Sequence, residues 1–413
     1  MKAVVFTLGC KVNECESDSL IAGLIERGYE VSDKLVAADV YIVNTCAVTA
    51  EAEKKSRQTA SRIKKLNPNA KIIFTGCAAE KSPQSFIDKG DDCLVTGVFN
   101  KSKILSMLDQ NGVNVSVPCT EFEELLTTKS LRTRAYIKVQ DGCNNFCSYC
   151  IIPYLRGRSR SRNPQNIIDE IDSVLAEEVV LNGINLSAYN FEGITLQGLV
   201  ERLKTTYKRI RLGSLEVNVI TDELLKALQS LNNFAPHFHL SLQSGSNAVL
   251  KKMNRRYTRE EYLEKVQLIR KYFPNAGITT DIIVGFPTET EEDFALTKDL
   301  VEKVDFSDIH PFPFSPRSGT VAYKMKDLSA DIKKSRLKEL LSIKERQKQK
   351  FIQKQCGKTL DFLFEEYNDG YAEGYSENYL RLYVEDYSGE KSIKKVKVIS
   401  PFRDGAIAKI IEE

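Results

Sequence analysis

The residues of this chain best placed to do chemistry are cysteines, and six of the ten fall into two informative patterns. In Cys143-Asn-Asn-Phe-Cys147-Ser-Tyr-Cys150, three thiols sit within eight residues, spaced Cys-x3-Cys-x2-Cys, directly after the strand-like run Ala135 to Gly142. A tight loop of that spacing can ligate three irons of a cubane cluster, and with no fourth local thiol the last iron stays open to a small molecule. An open coordination position marks a catalytic metal site rather than a structural one. The competing reading is a zinc knuckle on Cys147-x2-Cys150, which needs a second ligand pair nearby; the next cysteine is Cys356.

The second pattern is built by topology. Cys10, Cys46 and Cys77 each close a strand-like run, in Leu8-Gly9-Cys10, Asn44-Thr45-Cys46 and Thr75-Gly76-Cys77. In a parallel sheet all carboxyl ends lie on one edge, where such folds bind ligands, so these thiols converge. Gly9 and Gly76 let backbone approach a bulky cluster closely. The competing reading is three small buried residues at strand ends. Cys15, Cys93, Cys119 and Cys356 share no such register.

The elements that position these residues fall into successive segments. Residues 1–111 alternate short apolar runs (Ala3 to Leu8, Val40 to Asn44, Lys71 to Thr75, Leu94 to Thr96) with amphipathic helical stretches such as Ser17 to Arg27 and Ala50 to Leu66. That alternation predicts an α/β unit with a doubly wound parallel sheet. Residues 112–134 read as a connector, with Pro118 to Glu124 lacking periodicity and Thr127 to Arg134 polar and basic. Residues 135–330 repeat strand, loop and helix six times. Strands are expected at Ala135 to Gln140, Glu178 to Leu181, Ile210 to Leu215, His237 to Leu242, Ile278 to Val284 and Asp308 to Phe314. This predicts a partial (β/α)6 barrel with functional residues at the carboxyl ends of its strands. Those ends carry Asn182-Gly183, Glu216, Ser241, Gln243 and Asp281, with Ile282, Ile283 and Val284 as apolar wall and Arg255 as a carboxylate partner.

Residues 331–355 predict a solvated basic helical linker, with nine Lys or Arg against three acids. Residues 356–413 hold five short strand-like runs parted by turn signals such as Asn368-Asp-Gly370 and Ser388-Gly389, which predicts a small all-β barrel. Tyr371, Tyr375, Tyr379 and Tyr383 are candidates for stacking on bases, and Lys391 to Lys397 is its one basic strip. Arg156, Arg158, Arg160 and Arg162, at alternate positions after the cysteine loop, are candidates for RNA phosphates. His237 and His239, on an apolar strand, read as packing residues.

At 413 residues, 42% hydrophobic and 28% charged, the chain has ordinary globular composition, and its net charge of +3 confines nucleic-acid contact to local patches. No apolar run reaches membrane-spanning length, and the opening Met1 to Leu8 offers no cleavage region. The expectation is a cytoplasmic protein with no membrane or DNA partner and reduced cysteines.

Taken together, Thr7-Leu-Gly-Cys-Lys-Val-Asn13, Val43-Asn-Thr-Cys-Ala-Val-Thr49, Thr75-Gly-Cys77, Gln140 through Cys150, Pro153-Tyr-Leu-Arg-Gly-Arg158, His239-Leu-Ser-Leu-Gln-Ser-Gly245 and Thr280-Asp-Ile-Ile-Val-Gly-Phe-Pro287 resemble the radical S-adenosylmethionine (SAM) methylthiotransferases. Within that family Gly9-Cys-Lys-Val-Asn13, followed by Glu14-Cys-Glu16-Ser17, is most similar to the MtaB branch. The resemblance implies an amino-terminal methylthiotransferase domain, a radical SAM partial barrel and a carboxyl-terminal TRAM domain that binds RNA. It implies two 4Fe-4S clusters, an auxiliary one on Cys10, Cys46 and Cys77 and the radical SAM cluster on Cys143, Cys147 and Cys150. S-adenosyl-L-methionine would meet Tyr149, Asn182, Gly183, Glu216, Ser241, Gln243, Arg255, Asp281 and Ile283. The implied reaction places a methylthio group at C2 of threonylcarbamoyl-adenosine in the tRNA anticodon stem-loop, uses two SAM molecules, and draws on an external electron donor and a sulfur donor. An adenine C2–H has no useful acidity, so a radical is the route that removes it. The departures, Thr288 after Phe286-Pro287 and His310-Pro311 in the last strand, remove no ligand. The alternatives are another branch of the family, acting on isopentenyl-adenosine tRNA or a ribosomal-protein aspartate, and a non-catalytic iron-sulfur RNA-binding or redox-sensing protein.

Overall fold

A computed structural model describes residues 1–88, 92–116, 119–125, 132–385, 387, 389 and 392–411. Pro118, the basic stretch 127–131 of the expected connector, Ser388 and Lys391 lie outside the described residues.

The amino-terminal sheet is entirely parallel, in the order Glu30–Ser32, Lys2–Thr7, Val40–Thr45, Lys71–Gly76, Cys93–Thr96, Gly112–Asn114. Its four inner strands are those expected, and the short edge strands are additions. Successive side chains point to opposite faces, so one apolar run feeds two cores. Val5, Ile42, Ile73 and Leu94 pack with Leu20, Ile21 and Leu24 of the helix Lys11–Glu26, while Val4, Tyr41, Val43 and Phe74 pack with Ala60 and Ile63 of Ala50–Leu66. Thr49 caps the second helix by accepting from the Ala52 N–H, acids fill its first turn and lysines its last, and Asn67-Pro68 stops it. The helix Lys11–Glu26 begins directly at Cys10, six residues before the expected start.

The central strands Arg134–Asp141, Glu178–Gly183, Arg209–Leu212 with Ser214–Leu215, His237–Leu240, Gly277–Val284 and Asp308–Pro313 run parallel in chain order as an open barrel. The third is not the continuous strand expected. It breaks at Gly213, where a Cβ would lie 3.0 Å from the Leu181 carbonyl oxygen, and each half pairs with a different neighbour. The first helix of the amino-terminal unit packs against Arg134–Asp141 and Glu178–Gly183.

The helix Ala330–Gln355 is not a solvated linker. It lies on the last barrel strand and buries Leu340, Ile343 and Ile352, while its cations pair with acids: Lys333 with Asp327, Arg336 with Glu289, Lys344 with Asp308, Lys350 and Lys354 with Asp305. It leads into a closed five-stranded barrel, Thr359–Asn368, Tyr371–Ser376, Arg381–Glu385, Gly405–Ile410 and Ile393–Phe402. Among the described residues no helix is long and apolar enough to cross a membrane.

Candidate active site

One cavity of about 840 Å³ joins the three units, and all six patterned cysteines line it. The amino-terminal strand order places Lys2–Thr7 between Glu30–Ser32 and Val40–Thr45, so the chain reverses direction across the sheet there. Connections after these two inner strands diverge and open a crevice at their carboxyl ends, the usual ligand position in such sheets. Cys10 and Cys46 stand at that crevice, and Cys77 follows the next strand. Gly9 has φ +116°, and a Cβ on it would meet Cys46 Cβ at 2.9 Å and Sγ at 3.0 Å; Gly76 has φ +90°, with Asn44 Oδ1 2.5 Å from its would-be Cβ. Both glycines thus allow strand ends to crowd together, which draws the thiols close. Asn13 fixes the crevice by donating to the Leu8 and Thr45 carbonyls.

The second trio sits on the loop after Arg134–Asp141 and faces the first. Cys143 Sγ accepts from the Asn145 N–H at 3.5 Å and from Asn185 Nδ2 at 3.9 Å. Each trio also receives an arginine. Arg156 Nε donates to Cys77 Sγ and Arg255 Nη1 to Cys147 Sγ, both at 3.4 Å. Arg156 is fully buried and reaches Glu16, Asp141 and Asn13, whereas Arg255 pairs with Glu216 at 2.9 Å beside the cavity. Against the upward push of burial, Arg156, Lys101 and Lys138 hold Glu16 well below the usual carboxylate range. Burial pushes the thiols of Cys10 and Cys143 up, and those of Cys46 and Cys150 up to about 12. Desolvated thiols become thiolates when a metal takes the place of their protons.

These residues fit iron-sulfur clusters better than a lone ion. Each trio offers three thiols and N–H donors to its sulfurs, from Arg156 in one and from Asn145, Asn185 and Arg255 in the other. A cubane spreads its thiolates over separate irons, and donors to the sulfurs tune it.

Of the residues expected around SAM, Tyr149, Asn182, Gly183, Glu216, Ser241, Arg255 and Asp281 line the cavity. Gln243 and Ile283 do not. Gln243 exchanges backbone hydrogen bonds with Asp281 and Ile283, and Ile283 packs on the apolar cluster of Val249, Met253 and Phe286. Ile282 and Val284 are core residues rather than wall.

The arginine strip is not a phosphate surface. Arg156, Arg160 and Arg162 are buried on Glu16 and Asp141, on Asp141, and on Glu124 and Glu170 respectively; Arg158 alone is exposed, over the Phe146 ring. Tyr383 is likewise buried, bonded to Asp404. Tyr375 and Tyr379 stack on each other at 4.6 Å, and Tyr379 stacks on His237 at 4.4 Å, so these rings face the cavity. All three histidines of the chain line it: His239 pairs with Asp281 at 3.4 Å and stacks on His310.

Sequence reasoning missed Arg156 as a thiol partner, the inward histidines and Lys11. The only sequence signal for Lys11 was its position beside Cys10.

Residues 137–301 match the Radical SAM superfamily, and residues 2–97 match the "Uncharacterized protein family UPF0004". The chain is 35% identical to the threonylcarbamoyladenosine tRNA methylthiotransferase MtaB of Bacillus subtilis, over all of this chain and 98% of that protein. It is 40% identical to the Aquifex aeolicus protein of the same name, over 89% and 94%. It is 38% identical to a tRNA-2-methylthio-N(6)-dimethylallyladenosine synthase of Thermoanaerobacter, over 87% and 81%. The radical SAM methyltransferase TsrM of Kitasatospora setae shares the fold, with TM-score 0.54 at 14% identity over 76% of this chain and 74% of that one.

Proposed function

Because this chain belongs to the radical SAM methylthiotransferases of the MtaB type, a family of enzymes whose relatives here modify tRNA, we propose that it attaches a methylthio group to C2 of threonylcarbamoyl-adenosine beside the tRNA anticodon. One observation carries the reading: six thiols, three from one loop and three from separate strand ends, line a single cavity. We assign one 4Fe-4S cluster to Cys143, Cys147 and Cys150 and an auxiliary one to Cys10, Cys46 and Cys77. When bound, the clusters and SAM supply the reducing electron, the carbon radical that takes the C2 hydrogen, and the sulfur and methyl group delivered there.

The chain's own residues bind, orient and exclude water. Arg255 and Glu216, a paired cation and anion at the cavity wall, suit the carboxylate and ammonium of the SAM amino acid. Asn182, Ser241 and Asp281 offer polar groups at barrel strand ends for the rest of the cofactor. The Arg156, Glu16 and Asp141 network holds the two thiol-bearing loops together, since Asp141 lies two residues before Cys143 and Arg156 contacts Cys77. The units are taken as 1–111, the connector 112–134, the radical SAM barrel 135–330, the helix 331–355 and a TRAM-type RNA-binding barrel 356–413. The reaction would run in the cytoplasm with external electron and sulfur donors.

The test is nucleoside analysis of tRNA from cells with and without the gene. The methylthio form of threonylcarbamoyl-adenosine should disappear with the gene; its persistence, or loss of a methylthio form of isopentenyl-adenosine instead, refutes the reading.

A further inference from the structure

Behind Tyr379, which lines the cavity, lies a cluster of buried charge. Glu178 takes ion pairs from Arg134, Arg209 and Arg211 at 2.9, 2.5 and 2.7 Å, so one carboxylate serves three guanidiniums. Arg134 and Arg211 lie over the Tyr379 ring at 5.5 and 5.1 Å. Into this region comes Lys11, the residue after Cys10, which lines the cavity within electrostatic reach of Tyr379, Arg211, Arg134 and the Glu178 carboxylate that the arginines already share. Its ammonium has neither an ion pair nor a hydrogen bond to any described residue, whereas the arginines below it are paired. Nearby, His237 is 2% exposed and lines the cavity; its Nε2 meets Thr279 Oγ1 at 3.0 Å, and its Nδ1 has no partner among the described residues. A half-buried ammonium with no ion pair of its own, where three arginines already share the one carboxylate and a buried ring nitrogen stands unsatisfied, suits an anionic occupant with a second polar group.

We propose that Lys11 determines nucleoside specificity by pairing with the carboxylate of the threonylcarbamoyl substituent, with His237 beside it for the substituent's hydroxyl. The proposal rests on the nucleoside reading above. The chemistry supports the placement. C2 and C6 of adenine flank the same ring nitrogen, so a substituent on N6 lies next to C2. When C2 faces the thiols of the first trio, the side chain adjoining Cys10 is positioned to meet that substituent. A SAM carboxylate is the other source of the same anion, and the experiment separates the two.

Full-length wild-type, K11M and K11R proteins are reconstituted anaerobically and checked for equal iron content. Each is given an anticodon stem-loop carrying threonylcarbamoyl-adenosine, or the same RNA with that carboxylate as its neutral methyl ester. Methylthio product is followed against RNA concentration, and SAM affinity is read by equilibrium dialysis. The wild type should show KM raised about 10- to 100-fold by esterification. K11M should show the raised KM on the native RNA and no further loss on the ester, K11R should recover part of the discrimination, and SAM affinity should be the same in all three. Ester discrimination that persists in K11M overturns the assignment, as does weakened SAM binding in K11M with RNA affinity retained, which would give Lys11 to SAM. Wild-type protein that modifies other adenosines and not threonylcarbamoyl-adenosine would overturn the nucleoside reading itself.

Discussion

The two thiol trios reach the same cavity by opposite routes. Cys143, Cys147 and Cys150 are preassembled by one short loop, whereas Cys10, Cys46 and Cys77 meet only when three strands have found their register. Their arginines differ in the same sense. Arg156, on the assembled trio, is fully buried and committed to Glu16, Asp141 and Asn13; Arg255, on the loop trio, faces the cavity and holds one acid, Glu216. A site made by tertiary structure thus depends on a locked polar core, while a site made by local sequence keeps its cation available to ligand.

That contrast is broken most sharply by removing one thiol from each trio. C147A should lower SAM cleavage to background, measured as 5′-deoxyadenosine, while C46A should retain cleavage and make no methylthio product. Each should bind about four irons in place of about eight; equal loss of cleavage in both sinks the division of labour. Next come the arginines. R156A removes one of the two cations that bridge Glu16 and Asp141, Lys138 being the other, and should cost about 2–3 kcal/mol in denaturant unfolding. R255A should cost about 1 kcal/mol and act chiefly on SAM affinity. G9A forces a strained φ and a clash with Cys46, so it should cost about 1–3 kcal/mol and lower iron content toward the single-cluster value without removing SAM cleavage. The smallest effect near neutrality concerns acid. Against burial, Arg211, Arg209 and Arg134 hold Glu178 below the usual range, so its contribution is complete at pH 7 and is lost as pH falls below about 4.3 toward the folded value. Burial also holds His237 and His310 below the usual imidazole range, so melting temperature should begin to fall below about pH 6.5 and fall further below about 4.3 as Glu178 is protonated; an unchanged melting temperature at pH 3.5 contradicts this.

The legible parts of this molecule are those whose signals are local. The helices Arg259–Tyr272 and Glu291–Val304 start where the sequence writes capping boxes, Thr258 with Glu261 and Thr290 with Asp293. The six thiols were legible through spacing and strand-end register. The alternate arginines after the loop misled because their partners Glu16 and Glu124 are far away in sequence, and a charge run looks solvated until those partners are placed. The basic helix misled for the same reason, since Asp305 and Asp308 lie on a separate element. The inward turn of Tyr375 and Tyr379 followed from how one barrel seats on another, which no residue spacing encodes.

The seating of those barrels has a consequence for chimeras. Arg209 Nη1 donates to the Asp361 carbonyl, Arg211 donates to the Ser376 and Glu377 carbonyls, and Gly277 packs so tightly on the Asn378 carbonyl oxygen that a Cβ would lie 2.1 Å from it. The carboxyl-terminal barrel is a stopper fitted to the foot of the catalytic one. Grafting it from a relative would succeed only if the recipient's arginine anchors came with it, and deleting it would strip Tyr375, Tyr379 and Leu380 from the cavity wall and open the chamber to water.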